Sequence, residues 1–178
     1  MGILSRSLMR AGLAVAAFCA IAAFAQQASE AVVKAAFLYK FAGYIEWPNP
    51  SSEGPFVIAT LNAEDVAAEL DKLLPGRSVN GRPAIVRRVR EGESLRGVHI
   101  LFIGRGEANT RAAVRAAQQQ GVVPVTETER GLEMGAAINF VVIEDRVGFE
   151  VSLDSADRSG HRISSRMLAV ARRVVPKS

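Results

Sequence analysis

Cysteine is nearly absent from the 178 residues: Cys19 is the only one, and it lies in an N-terminal stretch that reads as a leader. The mature chain can therefore form no disulfide and no thiolate metal site. Histidine is scarce as well, with His99 and His161 alone. A zinc ion takes three or four ligands, and neither histidine belongs to an H-x-E-x-H or similar cluster, so no metal site is expected. Charge of a single sign is lacking too. Against 22 Lys and Arg stand 18 Asp and Glu, interspersed along the chain, whereas a nucleic-acid binder concentrates basic residues on one face. The long hydrophobic run, Ala11 to Phe24, falls short of the ~20 residues a membrane-spanning helix needs.

That run has the features of an export signal. Arg6 and Arg10 give a positive start, the apolar stretch follows, and Ala23-Phe24-Ala25 supplies the small residues signal peptidase requires. Cleavage is expected after Ala25. A lipoprotein is disfavoured because bulky Phe18 precedes Cys19 inside the apolar run. Residues 26–178 then form a single domain of a size able to bury a substantial core. Its net charge drops from +4 as Arg6 and Arg10 leave.

Residues 30–46 carry Val33, Phe37, Phe41 and Tyr44 at helical spacing, and Trp47-Pro48 stops that helix. Lys34 is expected to lay its stem on apolar surface with its ammonium in water. Residues 55–61 read as a strand, Asn62 as the cap of a helix bearing Val66, Leu70, Leu73 and Leu74, and Pro75-Gly76 as its end. A strand at 85–89 places Arg87 and Arg88 on opposite faces. The apolar run 98–103 marks a central strand covered on both sides. A helix over 109–120 with Val114 and Ala117 inward, a stop at Gly121 and a strand at 122–126 follow. Alternation through Ile138, Phe140 and Val142, then Val147, Phe149, Val151 and Leu153, with Glu144-Asp145 between, spells a β-hairpin. A last helix is expected over 163–174, facing inward through Ile163, Met167, Val170 and Val174. The sum is an α/β fold: a three-layer, open, mixed and mostly parallel sheet with helices on both faces, a C-terminal β-hairpin and terminal helices.

Several chemistries fail for want of parts. Gly104-Arg105-Gly106 follows a strand, but Asn109 stands where a dinucleotide-binding turn wants its third small residue, so a tight loop explains the glycines. His99 sits in an apolar strand as a satisfied ring. Ser164 and Ser165 near His161 lack a nucleophile elbow and read as helix caps. Glu133, Glu144, Asp145, Glu150 and Asp154 could supply a hydrolase's paired carboxylates, yet read as solvated strand and turn residues. No catalytic or cofactor-binding residue is therefore assigned. Tyr44, Trp47, Arg158, His161, Arg162 and Arg166 remain as candidates for a partner-binding surface, because aromatic and Arg side chains anchor interfaces.

The run Lys34-Ala35-Ala36-Phe37-Leu38-Tyr39-Lys40-Phe41 ending in Glu46-Trp47-Pro48 is distinctive. It is followed by the 99–103 strand, Gly135, Ile138-Asn139-Phe140, Phe149-Glu150-Val151, Ile163-Ser164-Ser165 and Met167-Leu168. In this order the chain resembles the YfiR-like family through nearly all of residues 26–178. The resemblance implies a periplasmic α/β homodimer that binds the periplasmic sensor domain of an inner-membrane protein, a diguanylate cyclase in the best-known members. It represses that enzyme and so lowers cyclic di-GMP and biofilm formation. The family offers no catalytic residue to carry over. Ala136 replaces a frequent second glycine and Ser152 a usual asparagine, both tolerable changes. Family members that respond to oxidation do so through disulfides, which the mature chain cannot make. The alternative is a periplasmic small-molecule binding subunit of a sensor kinase or transport system, with a site beyond the strand ends near Asn62 and Gly104–Asn109.

Overall fold

The computed structural model describes residues 30–48, 54–106 and 109–177; the expected leader lies outside them. Residues 30–44 form helix α1. There follow β1 (Ile45–Glu46), β2 (Phe56–Leu61), α2 (Glu64–Leu73), β3 (Ser78–Val79), β4 (Arg82–Arg88), β5 (Ile100–Ile103), α3 (Thr110–Gln119) and β6 (Val123–Thr126). The chain continues with β7 (Ile138–Ile143), β8 (Arg146–Ser152), α4 (Leu153–Arg158), β9 (Arg162–Ile163), α5 (Ser165–Leu168) and β10 (Arg173–Val175).

Eight strands make one sheet in the order β10-β8-β7-β6-β5-β2-β4-β3, antiparallel only at β7–β8 and β3–β4. Side chains alternate across it. Phe56, Ile58, Ile100, Phe102, Val123 and Val125 face α1 and α2, while Val57, Ala59, Leu101 and Ile103 face Val114 and Ala117 of α3. Both faces being covered, β2, β5 and β6 are buried at every residue, which is why they carry few polar residues and no charge. The hairpin turns at Glu144 and Asp145, both left-handed with φ of 50° and 56°, the backbone that a tight two-residue hairpin demands.

The sequence reading is corrected at four places. The buried stripe of α1 runs through Ala31, Ala35, Leu38, Phe41 and Ala42, whereas Val33 and Tyr44 are exposed; small alanines let the helix lie close to the sheet. Asn62 is not the cap of α2. It takes φ +54° at the end of β2, and Ala63 occupies the cap position with no side-chain bond. The expected helix over 163–174 is replaced by β9, the single turn α5 and β10, leaving Val170 67% exposed. Ile163 pairs with Ile45 and Val174 with Val151, so strand edges offering backbone hydrogen bonds outweigh an amphipathic pattern built largely from β-branched residues.

Lys34 is the fourth correction, since its side chain is 5% exposed and its ammonium does not reach water freely. Nζ lies 2.6 Å from Glu127 Oε2 and 3.1 Å from Glu30 Oε2, and the Arg105 guanidinium closes the group at 3.1 Å from the same Glu30 oxygen. A buried ammonium is tolerable only when so paired. The network pins the start of α1 to the loops that follow β5 and β6. Lys34→Met should destabilise the protein by about 3 kcal/mol, because the largely buried carboxylates of Glu30 and Glu127 lose the ammonium between them and keep only the exposed Arg105. Urea unfolding checks this, and Glu127→Gln added to Lys34→Met should recover part of the loss.

Candidate partner-binding surface

Trp47 organises one corner of the molecule. Three residues past the end of α1, its Nε1 donates to the Ala42 carbonyl at 2.8 Å, satisfying an acceptor that the helix end leaves open. Its ring meets Phe56 at 4.9 Å and His161 at 4.8 Å, with His99 at 5.8 Å, all near edge-on. The β1–β9 pairing aligns Ile45 with Ile163 and Glu46 with Arg162, and Ser164 N donates to Tyr44 O at 2.9 Å. Tyr44, Trp47, His161 and Arg162, far apart in sequence, thereby converge.

The six candidate residues divide by exposure. His161 is buried at 3% and Trp47 half-buried, so both support the corner from inside. Tyr44, Arg158, Arg162 and Arg166 are exposed. Arg158 pairs with Asp154 at 2.7 Å and donates to Ser155 Oγ, which mutes its charge. Among the described residues no ion pair engages Arg162 or Arg166. Beside His161 a cleft of about 290 Å3 opens between Ala156, Ile163 and Leu168, with Asp157 and Lys177 joined at 2.6 Å on its rim.

From α1 to the segment before β10, residues 31–172, the sequence matches the YfiR/HmsC-like family. The chain belongs to that family. A comparison with curated proteins gives no match. The two departures from the family pattern have simple structural accounts. Ser152 caps α4, its Oγ accepting from Ser155 N at 3.2 Å, a task asparagine performs equally well. Ala136 is fully buried in the loop leading to β7. In the family's Ile-Asn-Phe stretch, Asn139 Oδ1 accepts from Thr126 Oγ1 at 2.8 Å and from Thr128 N at 3.2 Å.

Elsewhere the candidate chemistry resolves into structure. A Cβ on Gly104 would stand 2.0 Å from Asn62 O, so that glycine serves the close approach of β2 and β5. Glu133 pairs with Arg130, Glu150 with Arg173 and Asp154 with Arg158. Asn109 bonds Glu91 through its amide at 2.8 Å. The structure also shows apolar features that residue spacing does not announce. Phe37, Val147 and Val170 line a cleft of about 370 Å3, and Val142 and Ile143 stand 43% and 48% exposed near the hairpin tip. The only signal was the uninterrupted Val141-Val142-Ile143, too apolar for a solvated strand end.

Burial disfavours the charged form of both histidines. His99 Nδ1 accepts from Val57 N at 3.1 Å, and burial, followed by the charge of Arg82, pushes its pKa down to about 4. Burial likewise lowers that of His161, offset in part by the Ser159 backbone. Among the described residues no group meets hydrogen-bond geometry at His161 Nδ1. Unfolding frees both rings to take up protons, so their stabilisation is complete above pH 6.5 and is lost as the pH falls below it, for His99 down to about 4. The urea midpoint should fall over that window. His99→Gln should flatten it by about 1–2 kcal/mol, the solvent reaching this half-buried ring having reduced the full effect.

Proposed function

We propose that the protein is a periplasmic regulator that represses an inner-membrane signalling protein, a diguanylate cyclase, and so lowers cyclic di-GMP. In this reading residues 26–178, released by cleavage after Ala25, act as a homodimer and do no catalysis. The observation that carries it is the family match over residues 31–172, and the surface of Tyr44, Arg158, Arg162 and Arg166 is the docking face we assign. Repression needs only that the protein bind the inactive state of its partner more tightly than the active one. No helix among the described residues is long and apolar enough to cross a membrane. Deleting the gene should raise cellular cyclic di-GMP. Complementation with the wild type should restore it, and complementation with Arg162→Glu plus Arg166→Glu should not. Unchanged levels on deletion contradict the reading.

A second reading, a small-molecule binding subunit, is favoured by one observation. The strand order β4-β2-β5-β6 reverses direction between β2 and β5, the place where open α/β sheets bind ligands. There a pocket of about 170 Å3 lies between Asn62, Ile103 and Thr110. It adjoins a cleft of about 560 Å3 floored by Leu61 and Leu101. A metabolite screen by thermal shift should give saturable stabilisation if this reading holds, and none if it does not.

A further inference from the structure

Strand β7 pairs with β6 only through Ile138 and Asn139, opposite Val125 and Thr126. From Phe140 to Ile143 it pairs with β8 alone. Among the described residues no strand or loop backbone bonds the other edge of this stretch. Every second residue there turns its N–H and C=O outward, beside the exposed side chains of Val142 and Ile143.

The outer edges of the sheet carry the devices that discourage pairing: Arg87 and Arg88 on β4, Arg173 and the following Pro176 at the three-residue β10. The edge of β7 has no charge, proline or bulge between residues 140 and 143. Its surroundings are acidic. Glu144 and Asp145 form the tip and Glu129 stands in the loop from β6, none with a cationic partner among the described residues, while Glu133 is taken by Arg130. Arg146 is on β8, across the ribbon from this edge. A second copy pairing antiparallel at this edge would bring one tip's carboxylates towards the other's Glu129, like charge against like.

We propose that the Phe140–Ile143 edge accepts an extended segment of a partner protein as an added strand, the segment being β-branched at alternate positions and flanked by lysine or arginine. The inference rests on the reading of this protein as a partner-binding regulator and names the chemistry of the segment bound.

The test is selection of a displayed random-peptide library on the purified protein, followed by fluorescence polarisation with the enriched peptides. Enriched sequences should alternate β-branched residues between basic flanks. Their binding should weaken at least tenfold in Val142→Lys and in the doubly neutralised Glu144→Gln, Asp145→Asn, and stay unchanged in Val170→Lys, with circular dichroism confirming the fold of each. Equal binding by wild type and both edge variants overturns the proposal, as does enrichment of acid-flanked peptides. Self-association that Val142→Lys abolishes also overturns it, because the occupant would then be a second copy. Peptides that need the edge, beside unchanged cyclic di-GMP in the deletion, remove the cyclase-repressor reading and leave the edge standing; the converse removes only the edge.

Discussion

Helix α1 buries Ala35, Leu38, Phe41 and Ala42 almost completely against one face of the sheet, and the rest of the molecule is arranged around that contact. Phe41 stacks on Phe37 at 5.7 Å and Phe140 at 5.7 Å, and meets Phe149 edge-on at 4.9 Å. The helix thus joins the antiparallel hairpin to the parallel strands. Aromatic contacts of this kind add about 0.5–1.5 kcal/mol each beyond the area they bury. Each end of α1 is fixed by a different chemistry. At its start Lys34 is held between Glu30 and Glu127. Just past its end Trp47 is clamped by Phe56 and His161. A change that loosens α1 therefore disturbs the Trp47 corner as well as the core.

Much of this architecture was legible in the sequence where one physical cause acted alone. The nearly unbroken apolar run ending at Ile103 marked a strand covered on both faces, and Glu144-Asp145 between alternating segments marked a turn. Legibility failed where tertiary partners decided. Ile163, Met167, Val170 and Val174 fit a helix by spacing, yet β8 and β1 offered open backbone edges, and the segment went to them. Lys34 looked like a residue at the margin of a stripe, because its two carboxylates lie in different parts of the chain and neither announces the other. Of the candidate surface, Tyr44, Trp47, His161 and Arg162 did come together. What residue type alone could not reveal was that His161 would face inward while Tyr44 faced out.

The chemistry of the surface supports the partner-binding role proposed for this protein. Burial lowers the pKa of both histidines, which pack on aromatic rings, and three of the carboxylates considered for hydrolysis are tied up in ion pairs. The exposed groups are of the kinds that make contacts: Arg162 and Arg166, which no ion pair engages among the described residues, and a ribbon with Val142, Ile143 and open backbone. These regions are joined by the same core helix, since Phe37 and Phe41 pack on the hairpin and Trp47 follows in the same chain segment.

The most direct test of the central claim places a photo-activatable amino acid at Tyr44 or at Arg162 in the living cell and identifies what is captured. The expected capture is of one inner-membrane protein bearing a periplasmic sensor region and a diguanylate cyclase domain, lost when Arg166 is replaced by glutamate. Capture confined to envelope proteins with no signalling domain would contradict it.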